Sequence, residues 1–253
     1  MTNKPSLKQR LAENKMVVGT WCEIPSVEVV NILAKAGLDF VIIDMEHGAM
    51  DFNLAAKMII SADADDCAPL IRVPKNDESD ILRALEIAPQ GIIVPHVETV
   101  EDRTKVVRYA KYPPFGVRSL NPYTRAGGYR SYKNFTKEQN EKVLTGLIIE
   151  GKKGIKNIDK LIDDENVDLV YIGTYDISAM LGIPGDTKNP HVLESLAKLV
   201  SVIRKKHKAA GCLFHTPEEL RFFKKIGIQF LCFKVDTSVI YDEFKKIIVL
   251  SQE

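Results

Sequence analysis

The stretch Phe40-Val41-Ile42-Ile43-Asp44-Met45-Glu46-His47-Gly48 decides how the rest of the chain is read. Four apolar residues in a row, two of them β-branched isoleucines, fill both faces of a strand without alternation, the pattern of a strand buried on both sides. The run then meets Asp44, Glu46 and His47, and Gly48 lets the backbone turn. Three titratable side chains at the C-terminal end of a buried strand are costly to desolvate unless something there needs charge. Taken alone, the cluster fits an acidic strand-to-helix loop with a solvated histidine equally well. What separates the two readings is whether other strands end in the same way.

Working outward, residues 16–21 read as a strand, and Ser26 as the N-cap of a helix over 27–35 with Gly37 just past its end. A short amphipathic helix over 7–13 precedes them. After the opening stretch come a helix over 53–62, a strand at 68–73, a helix capped by Asn76 or Asp77 that runs to 88, and a strand at 91–94. A helix over 100–110 follows, with Glu101 and Asp102 in its first turn, where the helix dipole favours acids. Residues 112–142 break this rhythm: they hold Tyr123, Tyr129, Tyr132 and Gly127-Gly128 and show no period, as in a long functional connection. Strands then recur at 144–149, 169–172, 210–214 and 230–235. Between and after them lie helices near 155–162, over 191–206, 217–225 and 237–251, and a short turn at 176–181.

Eight strand-like runs alternating with eight helical ones predict an α/β fold, a single (β/α)8 TIM barrel with residues 1–253 forming one domain. The first strand lacks a GxGxxG turn and no GxxxxGK[ST] occurs, so the nucleotide-binding sheets lose their main support. Apolar residues at 45% and charged residues at 27% suit a soluble protein with a large core. A formal net charge of +1 offers no nucleic-acid surface. Without an apolar signal core or an apolar run of about 18 residues, the expectation is a cytoplasmic protein with no membrane partner. Cys67, Cys212 and Cys232 lie in or beside apolar runs and read as buried thiols.

In a barrel of this kind, chemistry sits at the C-terminal ends of the strands. Those ends carry Asp44, Glu46 and His47, then Arg72, His96, Glu150, Asp176, His215, and Lys234 with Asp236, while the opposite ends are mostly apolar, glycine or solvated acid. Glu150 and Asp176 follow neighbouring strands, so their oxygens can converge on a hard divalent cation such as Mg²⁺ or Mn²⁺; ion pairs with Lys152 and Lys153 are the alternative. Arg72 lies in an apolar context and needs an anion, whether a substrate or a structural partner such as Asp44 or Glu46. Asp44 and His47 are spaced so that an Asp–His hydrogen bond is feasible. His96 fits a plain loop histidine, and His191 and His207 read as surface residues.

Five segments resemble the metal-dependent class II pyruvate aldolases: Asp44-Met-Glu-His-Gly48, Pro69-Leu-Ile-Arg-Val-Pro74, Gly91-Ile-Ile-Val-Pro-His-Val-Glu-Thr99, Tyr112-Pro-Pro-Phe-Gly-Val-Arg118 and Tyr171-Ile-Gly-Thr-Tyr-Asp-Ile-Ser-Ala-Met-Leu-Gly182. That family includes 4-hydroxy-2-oxoheptanedioate and 2-dehydro-3-deoxyglucarate aldolases, within the HpcH/HpaI aldolase/citrate lyase group. The resemblance runs from about residue 18 to 236 with the motifs in order. It implies reversible aldol cleavage of a 4-hydroxy-2-oxo acid to pyruvate and an aldehyde. It also implies a Mg²⁺ or Mn²⁺ ion held by Glu150 and Asp176 that, with Arg72, stabilises the pyruvate enolate. Asp44 and His47 would handle protons at the aldehyde oxygen, and the Gly173-Thr174-Tyr175-Asp176 turn would hold the pyruvate carboxylate. A homo-oligomer, a hexamer whose last helix is exchanged between subunits, is implied as well.

The chain departs from the family pattern at three places. Ile148 stands where the family carries Gln. Tyr175 stands where it carries Ala and would intrude on the site or cover it, and Lys234 stands where it commonly carries Gly. Two alternatives follow: a Schiff-base aldolase using Lys234, and a non-catalytic barrel that binds an oxo acid or a sugar phosphate. Citrate-lyase-like relatives acting on acyl-CoA esters share the scaffold.

Overall fold

Strand parity explains the architecture. In β1 (Val17–Cys22) and β2 (Phe40–Asp44), Val17, Trp21, Phe40 and Ile42 point into one cluster, while Cys22, Val41 and Ile43 point into another. With side chains alternating along each strand, both faces must be covered, and the chain does this by closing the sheet on itself. The computed structural model describes residues 5–252 and shows eight parallel strands in sequential order forming a closed barrel. The remaining strands are β3 (Ala68–Arg72), β4 (Gly91–Val94), β5 (Leu144–Ile149), β6 (Leu169–Ile172), β7 (Ala209–Phe214) and β8 (Phe230–Val235). Inside, Phe40 and Phe230 stack with centroids 3.9 Å apart, and Leu7 and Leu11 of α1 (Leu7–Ala12) join the same inner cluster.

The outer faces of the strands pack against the apolar stripes of α2 (Val27–Lys35), α3 (Phe52–Asp63), α4 (Glu78–Glu86) and α5 (Val100–Ala110) on one side of the ring. Their starts follow from capping chemistry. Ser26 accepts from the Val29 amide, Asp77 from the amides of Ser79 and Asp80, and Thr99 forms a capping box with Asp102.

Three segments differ from the sequence reading. The aperiodic stretch after α5 contains a 3₁₀ turn, Arg125–Gly127, and a helix, α6 (Phe135–Lys142). The cap of α6, Asn134, is left-handed and makes no side-chain bond, and only Phe135 and Gln139 are buried, so no amphipathic period advertises the helix. Its C-terminal carbonyls are instead met by buried Lys111, whose Nζ donates to Asn140 and Val143 at 3.0 and 3.1 Å. The single helix expected near 155–162 is split into α7 (Gly151–Lys156) and α8 (Ile158–Leu161), and the expected turn at 176–181 is a helix, α9 (Thr174–Met180).

The chain continues with α10 (Pro190–Lys205) and α11 (Pro217–Ile226) and ends in α12 (Asp236–Leu250). Asp236 is buried and anchors the start of α12 by accepting from the amides of Glu23 and Ile24. Beyond it the helix leaves the barrel: Ile240, Tyr241, Phe244, Ile247 and Ile248 are all exposed, Phe244 to 72%. No described helix is long and apolar enough to cross a membrane.

Candidate active site

The inward parity of each strand, carried one step past its end, selects the residues of the mouth. On β1 it runs Val17, Gly19, Trp21 and then Glu23; on β2, Phe40, Ile42, Asp44; on β3, Ala68, Leu70, Arg72; on β5, Leu144, Gly146, Ile148, then Glu150. The floor beneath them is Trp21, Ile148 and Tyr171, each about 5% exposed, with Trp21 Nε1 donating to the Tyr171 hydroxyl at 3.0 Å.

On the β2–β3 wall, register places Asp44 directly beside Arg72. Arg72 Nε donates to Asp44 Oδ1 at 2.8 Å and Nη2 to Oδ2, while Nη1 lies 3.1 Å from Glu46 Oε2. The guanidinium also lies over the Trp21 ring, 4.5 Å from its centroid. Burial works against its charge, but the bonds and charge of Asp44, then Glu46 and Glu150, outweigh it and raise the pKa of Arg72. Asp44 is fully buried and also accepts from the amides of Glu46 and His47. Its oxygens are thereby occupied, and the expected hydrogen bond to the His47 imidazole is not formed. The reason is geometric: a permanent, bidentate cation in register on the next strand takes the carboxylate first. The His47 side chain is exposed at the rim.

On the β5–β6 wall, Glu150 is the N-cap residue of α7 but makes no side-chain cap bond. Its Oε1 instead accepts from the His96 amide at 2.7 Å and lies 2.9 Å from His96 Nδ1. The same ring reaches Glu46 Oε1 through Nε2 at 2.8 Å, so an exposed imidazole bridges the two glutamates. Asp176, in the first turn of α9, accepts from the Gly151 amide at 3.3 Å, next to Glu150 in the chain. A Cβ on Gly173 would come within 2.4 Å of Asp176 Oδ2, so glycine is what leaves that oxygen its space. Neither Glu150 nor Asp176 pairs with a lysine or arginine among the described residues. Lys152 and Lys153 are exposed on α7.

Two oxygen donors from side chains, one on each of two adjacent strand ends, are the donor set a hard divalent ion accepts when water and substrate complete its shell. Among the described residues, no group of three or more His, Cys, Asp or Glu is arranged to bind an ion.

The other strand-end residues fall elsewhere. Lys234 has positive φ (49°), which turns it off the inward row; Val235 packs on the inner cluster in its place, and Lys234 Nζ donates to Asp242 of α12 at 2.6 Å. His215 donates its amide to Glu219 Oε2 at 2.6 Å within the capped start of α11. Tyr175 stands at the rim, 55% exposed, while Thr174 beside it is buried. Asp236 serves as the anchor described above. A first strand ending at Trp21 leaves Glu23 outside the mouth; β1 runs to Cys22, and the inward parity of Val17, Gly19 and Trp21 points to Glu23. Burial first, then Asp44 and Asp236, raise the Glu23 carboxyl pKa against the opposing pull of Arg72 and His47.

A family model, HpcH/HpaI aldolase/citrate lyase, matches residues 18–241. The chain belongs to the HpcH/HpaI aldolase/citrate lyase family. Among members, it is 30% identical over 243 residues to a hydroxypyruvate/pyruvate aldolase of Roseobacter denitrificans, covering 96% of this chain and 95% of that protein. It is also 30% identical over 237 residues to a 4-hydroxy-2-oxovalerate aldolase of Rhodococcus jostii, covering 93% and 91%. The crystal structure of an HpcH/HpaI aldolase from Desulfitobacterium hafniense superposes with a TM-score of 0.92 at 28% identity, over 99% of this chain and 98% of that one. As an HpcH/HpaI aldolase the chain is a carbon–carbon lyase that works by aldol cleavage.

Proposed function

We propose that this HpcH/HpaI aldolase reversibly cleaves a 4-hydroxy-2-oxo acid to pyruvate and an aldehyde, with a divalent cation, Mg²⁺ or Mn²⁺, held by Glu150 and Asp176. The observation that carries the reading is the pair of carboxylates just past β5 and in the first turn of α9, left without a lysine or arginine partner among the described residues, at a mouth that also contains Arg72. When bound, the ion supplies Lewis acidity to the oxygens of the oxo acid. Arg72, held rigid by Asp44, Glu46 and the Trp21 face, presents a fixed positive charge where negative charge develops as the C–C bond breaks. Asp44 acts through that arginine by orienting it. His47 is the exposed base that takes the proton from the 4-hydroxyl during cleavage and returns one to the aldehyde oxygen during synthesis. Gly173 caps α9 without a side chain, and the amides of Thr174, Tyr175 and Asp176 in its first turn suit the pyruvate carboxylate. Retro-aldol release of pyruvate from a panel of 4-hydroxy-2-oxo acids, with and without EDTA, tests this. Release that stops with EDTA and returns with Mg²⁺ or Mn²⁺ is expected; release unaffected by EDTA overturns the metal assignment.

The exposed apolar residues of α12 are more than an isolated subunit leaves uncovered at one place. We infer that α12 packs on a second copy of the chain in a homo-oligomer, with the hexamer implied by resemblance. Sedimentation should give an assembly mass that falls on Phe244→Asp; a monomeric wild type contradicts it.

A further inference from the structure

Glu23 lies one inward step beyond Trp21, and its neighbours fix where that is. Cys22 pairs with Ile43, so Glu23 adjoins Asp44, which pairs in turn with Arg72. Its own amide donates to Asp236 Oδ1 at 3.0 Å, and Asp236 is only 4% exposed, so a buried carboxylate pins the backbone here. The Glu23 side chain is part-buried and enters no hydrogen bond or ion pair among the described residues. In an eight-stranded barrel closed in sequential order, β1 stands across the mouth from β5. An oxo acid seated on Glu150 and Asp176 therefore extends its aldehyde half toward β1 and β2, where Glu23 and His47 are.

The cations at that wall are already committed. Arg72 is held by Asp44 and Glu46 and, in the reading above, turns its remaining charge to the oxo-acid half; Lys234 serves Asp242, and His96 lies between Glu46 and Glu150. An aldehyde carrying its own carboxylate would meet the Glu23 charge, which enters no ion pair among the described residues. A neutral aldehyde meets no such opposition, and one bearing hydroxyl groups can donate to the carboxylate.

Resting on the aldol reading above, we propose that Glu23 sets the aldehyde specificity of this site, favouring neutral aldehydes over carboxylate-bearing ones. The test compares retro-aldol kcat/KM, with Mg²⁺ present, on 4-hydroxy-2-oxopentanoate, which releases a neutral aldehyde, and 4-hydroxy-2-oxoheptanedioate, which releases an anionic one. Wild type should prefer the first. Glu23→Gln, which keeps the shape and removes the charge, should shift the ratio toward the second by roughly tenfold, the scale of one unit charge a few ångströms away in a part-wet cleft. The wild-type preference should also narrow when salt is raised to roughly 0.5 M, which needs no variant to fold. A wild type that cleaves both substrates with a ratio indifferent to Glu23→Gln and to salt overturns the role of Glu23 and leaves the aldol reading standing. A wild type that cleaves neither and exchanges no pyruvate methyl protons overturns the aldol reading itself.

Discussion

At the ends of β2 and β3 the charges close on one another: Asp44 is fully buried, Arg72 grips it with two nitrogens, and Glu46 completes the set. Beyond β5 and β6 the charges stay open: Glu150 and Asp176 receive backbone amides and one exposed imidazole, with no permanent cation among the described residues. The same residue types therefore do two kinds of work in one mouth. A carboxylate matched in register by an arginine becomes part of the scaffold that aims the arginine. A carboxylate left without one keeps its lone pairs for something that arrives.

Breaking the closed wall should show first in stability. Asp44→Ala leaves Arg72 with Glu46 as its one carboxylate and strips two buried amides of their acceptor, and urea unfolding should report a loss of roughly 3–5 kcal/mol. On the open wall the effect should be reversed in kind. Glu150→Gln should leave unfolding within about 1 kcal/mol of wild type while pyruvate release falls roughly 10²–10³-fold, the usual scale for losing one fixed electrostatic contribution to a reaction. If both variants lost stability and activity in equal proportion, the distinction between the walls would fail.

A third buried charge, Lys111, has carbonyls for partners instead of a carboxylate. Lys111, 1% exposed, is pushed down to about 8 from an ordinary 10.5, by burial first and then by Lys8. The unfolded chain keeps this proton to about 10.5 and the folded chain loses it near 8, so between those values the unfolded state binds more protons. Stability should therefore rise with pH across that window, by roughly 2–3 kcal/mol, with the full burial penalty present below it. Lys111→Met should flatten that rise in unfolding measured from pH 7.5 to about 10.5. An unchanged slope would mean the ammonium is not desolvated as placed.

How much of this was legible in the sequence depended on period. Strands buried on both faces announce themselves as apolar runs, and those at 91–94, 144–149, 169–172 and 230–235 coincide with β4, β5, β6 and β8. Helix α6 had no such signal, because a lysine distant in sequence finishes its C-terminus and two residues alone anchor it. At the mouth, composition named the candidate residues but could not pair them. Whether Asp44 meets His47 or Arg72 is decided by the β2–β3 register, a property of two strands at once. His96 reads as a loop histidine in the sequence, and its left-handed backbone sets its ring between Glu46 and Glu150. Glu23 lies one parity step past Trp21, beyond the apolar run that marks the strand.

The most direct test of the open carboxylate pair is exchange of the pyruvate methyl protons with D₂O, followed by NMR, in wild type and Glu150→Gln with and without added Mg²⁺ or Mn²⁺. The account predicts exchange by wild type that requires the metal and is lost in Glu150→Gln, although the variant unfolds like wild type. Metal-independent exchange by wild type, or metal-stimulated exchange that survives Glu150→Gln, would contradict it.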